Sequence, residues 1–276
     1  MDKMIDGRKL ADEIKKEIKQ EIREKKLRPN LAVVLVGEDP ASKLYVNLKQ
    51  KACQEVGINF HEYLLAENSS EKQILDVIDF LNKDEQIDAI LVQLPLPKHI
   101  DTDKIISTMD PKKDVDGFHQ INIKNFLENQ SSFVPGLALG IFKLINSTEE
   151  KLENKKATII AKSNILYQPL AKLLNDQGVS TTIVHPGDKD MTDRCKEADV
   201  LISAWGKAFA VGTELVKDEA IVIDVGTNQV GDYTVGDVDY SSVFSKTKYI
   251  TPVPGGVGPM TVAMLLYNTV KLAETK

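Results

Sequence analysis

Short runs of consecutive apolar residues, separated by segments of helical periodicity, constrain this chain more than any other feature. The runs 31–36, 87–94, 157–160, 179–184, 200–202 and 220–223 are largely apolar without polar/apolar alternation, and 58–65 adds a further strand-like segment. A strand with one wetted face alternates; a continuous apolar strand is covered on both faces, as in a parallel sheet sandwiched between helices. The intervening segments supply those helices. Leu10, Ile14, Ile18 and Ile22 recur every fourth residue behind Asp6, a ready N-cap. Residues 40–56 form a second helix, with Leu44, Leu48, Ala52 and Val56 turned inward, and 70–82, 169–176 and 259–273 follow. The expected fold class is α/β: two α/β domains, the second a Rossmann-like doubly wound parallel sheet, with a cleft between them. The boundary is expected after the charged, proline-bearing segment 110–117, giving domains 1–118 and 119–276, with the final helix packing back on the first domain.

A chain of 276 residues with 42% hydrophobic and 28% charged residues can bury two modest cores. Its net charge of -6 argues against a nucleic-acid partner, which selects a basic surface, and leaves small molecules as the default ligands. No apolar run approaches the roughly 20 residues of a membrane helix, and Met1-Asp2-Lys3 lacks a signal peptide's apolar centre. The expectation is therefore a protein neither inserted nor exported, in a reducing cytoplasm. Cys53 and Cys195 read as small buried apolar residues, and His61, His99, His119 and His185 are scattered without metal-ligand spacing, so no metal is expected.

Open parallel sheets bind ligands beyond the carboxyl ends of their strands, so the residues after each apolar run carry the functional information. After 31–36 comes a helix bearing Tyr45 and Lys49, whose i, i+4 spacing stacks phenol and ammonium on one face beside the apolar stripe. Alone, Lys49 is a solvated helix charge; partly desolvated, its pKa falls towards neutrality, as general acid/base catalysis requires. Gln93 ends the run 87–94 between rigid prolines, where an amide can orient a lysine without neutralising it, or merely cap a turn. Asp116, before Gly117, offers a carboxylate able to accept paired hydrogen bonds from an amino-pyrimidine edge, although Asp-Gly by itself is only a turn signal. Residues 250–261 are rigid and glycine-rich and lead into a helix with Pro259 near its first turn; without a following Gly-Lys-Ser/Thr they do not form a nucleotide-triphosphate loop.

Together these segments resemble the bifunctional methylenetetrahydrofolate dehydrogenase/cyclohydrolase family from about residue 37 to 269. The resemblance is carried by Pro40-Ala41-Ser42 with Tyr45-Val46 and Lys49, by Gln93-Leu94-Pro95-Leu96-Pro97, and by Lys113-Asp114-Val115-Asp116-Gly117-Phe118. It is carried further by Val222-Ile223-Asp224-Val225-Gly226, by Val235-Gly236-Asp237-Val238-Asp239 and by residues 251–261. It implies that Lys49 is the catalytic acid/base and that Tyr45 and Gln93 position it. Asp116, Val92, Leu94, Pro254, Gly255 and Gly256 would bind a folate substrate. Ala161, Lys162, Ser163, Pro186 and Thr227 would hold NADP, or NAD. A homodimer is implied as well.

The dinucleotide side departs from the family pattern. Ala161 and Tyr167 replace two glycines, and His185-Pro186-Gly187-Asp188 replaces the serine-bearing loop. Glycines there admit a pyrophosphate to the backbone and a helix N-terminus, so bulk at 161 and 167 predicts weakened cofactor binding. Asp188 would disfavour the extra charge of NADP. Three readings follow: an enzyme oxidising methylenetetrahydrofolate and hydrolysing the methenyl product, a cyclohydrolase without dinucleotide binding, and a non-catalytic folate-binding relative.

Overall fold

The computed structural model describes residues 3–275. Chain contacts divide it into a small-sheet unit, Asp12–Gly136 with the chain from Val262 on, and a large-sheet unit, Leu137–Thr261 with the chain up to Ala11. The division falls at Gly136 and not at Phe118, because the segment after Phe118 remains tied to the small-sheet unit: Gly136 N–H donates to the Asp116 carbonyl at 3.1 Å.

The first helix, α1 (Gly7–Glu24), is capped by Asp6 accepting from the Arg8 and Lys9 N–H groups, both at 3.0 Å, and from Asp12 on it belongs to the small-sheet unit. That unit continues through β1 (Asn30–Val36), α2 (Pro40–Val56), β2 (Asn59–Leu65), α3 (Glu71–Lys83) and β3 (Ala89–Val92), then α4 (Thr102–Thr108) and α5 (Gln120–Leu127). The three strands are parallel in the order β2-β1-β3. Leu31 to Val36 and all of β3 are buried, as continuous apolar runs require. One side of the sheet packs Ala32, Val34, Ile90 and Val92 against Ile74, Ile78 and Leu81 of α3.

The large-sheet unit takes in most of α6 (Gly136–Asn146), then β4 (Lys156–Ala161), α7 (Asn164–Asp176), β5 (Ser180–Val184), α8 (Met191–Glu197), β6 (Val200–Ala204) and β7 (Ile221–Asp224). A hairpin of β8 (Asn228–Val230) and β9 (Tyr233–Val235), the short α9 (Tyr240–Val243) and β10 (Tyr249–Ile250) complete it, and α10 (Val257–Ala273) ends the chain's regular structure. Its sheet, β10-β7-β6-β4-β5, is parallel throughout, which makes it the expected Rossmann-like doubly wound layer.

Two helical expectations are corrected. In α2 the buried stripe is Ser42, Val46, Cys53 and Val56 with Ala52 beside it, whereas Leu44 and Leu48 are 59% and 45% exposed. The chain offers two neighbouring apolar stripes, and the strands beneath select the one that carries Lys49. Helix α7 begins at Asn164, with Pro169 inside it. Proline is favoured in a first turn, so the sequence places the helix start there, but Ser163 serves as N-cap one residue before Asn164.

No helix among the described residues is long and apolar enough to cross a membrane.

Candidate active site

In the small sheet, strand order reverses between β1 and β3, and the candidate residues follow the ends of those strands. Asp39 caps α2 by accepting from the Ser42 N–H at 2.7 Å, which launches the helix from the β1 end. On its third turn Lys49 is half-buried, and its Nζ donates to Gln93 Oε1 at 2.8 Å. Gln93, just beyond β3, is 8% exposed; its own Nε2 donates to the Leu94 carbonyl at 2.7 Å, so the amide oxygen is aimed at the lysine. Tyr45, one turn earlier, is 38% exposed, so the hydrogen bond that orients Lys49 comes from the amide.

Asp116 reaches this place through a chain of local anchors. Lys113 buries its ammonium against the end of α3, donating to the carbonyls of Leu81 and Asp84 at 2.8 and 2.7 Å, where the helix dipole favours a cation. A parallel bridge pairs Asp114 with Ile90 of β3. The buried Asp114 carboxylate then accepts from the N–H groups of Gly117 and His119 and from the Asn122 amide, at 3.1, 2.8 and 2.9 Å, closing the turn around Asp116. Asn268 of α10 secures the same segment by donating to the Val115 carbonyl at 3.0 Å.

Burial shifts both ionisable groups of this place from their ordinary values. Desolvation lowers the Lys49 pKa below its ordinary value, against the opposing pull of Asp116. Desolvation pushes Asp116 up to about 6; the Lys49 charge opposes this and the Asp114 charge assists it. Both groups are thus shifted towards their neutral forms, each opposed by the other's charge. Burial pushes the Cys53 thiol up to about 12, so next to Lys49 it is an apolar neighbour and not a counter-ion.

In the large sheet the order reverses between β4 and β6. Ala161 is buried at the end of β4, and the next two residues, exposed Lys162 and half-buried Ser163, lead into α7. The Lys162 Nζ lies 3.4 Å from the point a Cβ on Gly206 would occupy, so it overlies the loop after β6. His185, at the end of β5, meets the Ala161 carbonyl through Nδ1 at 3.0 Å. Pro186 is half-buried beside it, and Thr227 is exposed just past β7. Asp188 turns back on its own loop, accepting from the His185 N–H at 2.7 Å. A cavity of ≈ 420 Å³ near Lys155, Asp199, Lys217 and Lys248 lies at the amino ends of the strands, and Lys217 and Lys248 there are paired with Asp199 and Glu150 at 2.8 and 2.6 Å. Sheet polarity assigns ligands to the opposite end, so this cavity is set aside.

Two family models match the chain in series. The tetrahydrofolate dehydrogenase/cyclohydrolase catalytic domain covers residues 5–116, and the NAD(P)-binding domain of the same family covers 135–276. The chain belongs to the tetrahydrofolate dehydrogenase/cyclohydrolase family. It is 45% identical to the bifunctional protein FolD of a Nitratiruptor species, over 99% of this chain and 98% of that protein. The crystal structure of the bifunctional FolD enzyme from Campylobacter jejuni is 44% identical, with a TM-score of 0.93 over 99% of this chain and 98% of that one. The Trypanosoma brucei enzyme, solved with NADP cofactor and an inhibitor, is 34% identical, with a TM-score of 0.93 over 99% and 97%.

Against this family frame the expected weakening of the dinucleotide site is not upheld: the NAD(P)-binding-domain model runs through Ala161, Tyr167 and Pro186. Tyr167 is 8% exposed, and burial and the Asp237 charge raise its pKa, so its bulk is taken up inside the unit. Of the folate residues named from sequence, Lys49, Gln93, Asp116, Val92 and Leu94 share the small-sheet unit, Val92 being buried and Leu94 packed against its core. Pro254, Gly255 and Gly256 belong to the large-sheet unit, where Pro254 is exposed and both glycines are buried. Sequence reasoning did not assign roles to Asp114, Asp224 and Asp237, whereas Cys53 is the buried apolar residue it was read as. For these aspartates the signal was a carboxylate within three residues of a glycine in a short motif, which reads as an ordinary turn until its partners are known. Among the described residues no group of His, Cys, Asp and Glu is arranged to hold a metal ion.

Proposed function

We propose that this chain oxidises 5,10-methylenetetrahydrofolate with NADP and hydrolyses the methenyl product to 10-formyltetrahydrofolate. The observation that carries the proposal is the Lys49–Gln93 hydrogen bond of 2.8 Å beside a carboxylate raised to about 6. Hydrolysis needs a water added to the cationic methenyl carbon and a group that takes and returns protons, for which a half-dry amine with a lowered pKa is suited. Gln93 holds that amine in one direction without pinning its charge, and Tyr45 flanks it on the preceding turn. Asp116 accepts from the amino-pyrimidine edge of the pterin, with Val92 and Leu94 supplying apolar contact. Pro254, Gly255 and Gly256 are assigned to folate binding on the family resemblance alone.

NADP, when bound, accepts the hydride. The switch point between β4 and β6 fits it: Lys162 provides a positive charge, and Ser163 caps α7 without a side-chain hydrogen bond of its own. Ala161, Pro186 and Thr227 complete the rim. NAD is the alternative: Asp188 accepts the His185 N–H through one oxygen and keeps a negative charge that disfavours the extra phosphate of NADP.

We also place the protein in the cytoplasm, where two free buried cysteines are at home, and assign it a homodimer. Leu44, Leu48, Leu64 and Phe80 leave 45–59% of their surface exposed on the small-sheet unit and are the apolar side chains a second copy would cover. Light scattering that returns the monomer mass at micromolar concentration removes the dimer.

One absorbance assay tests the enzymatic reading. Methenyltetrahydrofolate should appear from methylenetetrahydrofolate with NADP, and should disappear with no dinucleotide present. Disappearance without appearance would leave a cyclohydrolase alone; neither would leave a folate-binding relative.

A further inference from the structure

Two buried carboxylates in the large-sheet unit take no part in the chemistry above. Asp237 follows β9 and is fully buried. Its Oδ2 accepts from Ser203 Oγ and from the N–H groups of Trp205 and Gly206, at 3.1, 2.7 and 3.1 Å. Its Oδ1 accepts from the Lys207 N–H and from Asn228 Nδ2, both at 3.0 Å. Three successive N–H groups converging on one point form a nest, a device that ordinarily captures an external anion. Here the chain's own carboxylate fills it. Asp224, ending β7, fastens the segment that delivers Asp237: its oxygens accept from the N–H groups of Gly226, Asp237 and Val238 at 2.9, 3.0 and 2.9 Å. Both contacts demand glycine. A Cβ on Gly226 would stand 2.4 Å from the Asp237 carboxylate, and one on Gly236 would stand 1.8 Å from Asp224 Oδ2.

The loop gathered in this way borders the β4/β6 switch point, and the Lys162 ammonium lies over it. With the nest filled, the backbone N–H groups of residues 205–207 are not available to a phosphate. Positive charge at this rim comes instead from side chains: Lys162, and Lys207, whose ammonium sits 5.9 Å over the Trp205 ring. We infer that Asp237 is a positioning residue for the dinucleotide, holding the Trp205–Gly206–Lys207 loop in the shape against which the cofactor lies. The inference rests on NAD(P) being bound at this rim.

The probe is NADPH, followed by fluorescence titration of the full chain. Asp237→Asn turns an amide NH2 towards N–H donors, and should raise the NADPH Kd about tenfold or more. KM for NADP should rise in step, while dinucleotide-free methenyltetrahydrofolate hydrolysis stays within about twofold, because Asp237 shares no hydrogen-bond partner with Lys49, Gln93 or Asp116. Hydrogen exchange should lose protection at Trp205, Gly206 and Lys207 and not across the small-sheet unit. Should that variant fail to fold, Asn228→Ala removes one side-chain donor and should raise the Kd about threefold with the fold intact. Wild-type affinity in a folded Asp237→Asn, or in Asn228→Ala, overturns the inference; so does a loss of protection that spreads through the chain together with loss of hydrolysis. If the wild-type chain binds neither NADP nor NAD, it is the cofactor assignment that fails, and this role for Asp237 with it.

Discussion

Lys49 and Asp237 are both charged groups withdrawn from water, yet their surroundings differ in kind. Asp237 collects five hydrogen bonds from backbone and side-chain donors, as a buried ion must if it is to stay put. The Lys49 ammonium has three N–H bonds to place, and the Gln93 oxygen takes one of them. A fully partnered charge shapes a loop. A sparsely partnered one keeps a proton that can be moved, and burial brings its pKa towards working pH. The same contrast divides the carboxylates of the Lys113–Phe118 segment: Asp114 is wrapped by donors and orders the turn, while Asp116 is left at about 6 beside the lysine.

The contrast can be broken most directly at Lys49. Lys49→Arg keeps the charge but cannot release a proton, and hydrolysis of methenyltetrahydrofolate should fall by about 10³-fold, read by its absorbance. Retention of a tenth of the wild-type rate would remove the amine from proton transfer. Gln93→Leu comes next: with its acceptor gone, Lys49 loses direction, and kcat should fall by about 10- to 100-fold. Gln93→Glu should instead restore a high lysine pKa by direct pairing, moving the alkaline limb of the rate profile to higher pH.

Asp116 sharpens the comparison through pH. The wild-type hydrolysis rate should decline as pH falls through about 6, and Asp116→Asn should lack that limb. Its effect on stability is smaller and opposite in sense. A carboxyl whose folded pKa lies near 6, above its ordinary 3.8, holds its proton more tightly in the native state. Its stabilising contribution is complete below the unfolded pKa and is lost as pH rises through the folded one. Asp116→Asn should therefore be more stable than wild type near pH 8 by about 1–2 kcal/mol, discounted for partial exposure, and the gain should vanish near pH 4. Urea unfolding at the two pH values measures this; an Asn variant less stable at both would contradict the direction of the shift.

Much of this was legible before any coordinates. The buried strands announced themselves because a strand covered on both faces must be apolar throughout, and Lys49, Gln93 and Asp116 stood out because they follow helix and strand signals at places where parallel sheets bind ligands. The turn motifs were legible only as turns. Nothing local in Val235-Gly236-Asp237-Val238-Asp239 says that its middle carboxylate closes onto N–H groups thirty or so residues earlier in the chain.

By itself the sequence determined the alternation of helix and strand and the parallel character of both sheets, since each rests on periodicity, and it singled out Lys49, Tyr45, Gln93 and Asp116 as candidates by their positions after helix and strand signals. Tertiary structure alone decided which stripe of α2 faces inward, leaving Leu44 and Leu48 exposed while Val46 and Cys53 are buried. It alone decided where Tyr167 puts its bulk and which anion fills the loop after β6. These outcomes depend on what lies across from a residue, and opposing surfaces are brought together only when distant segments pack.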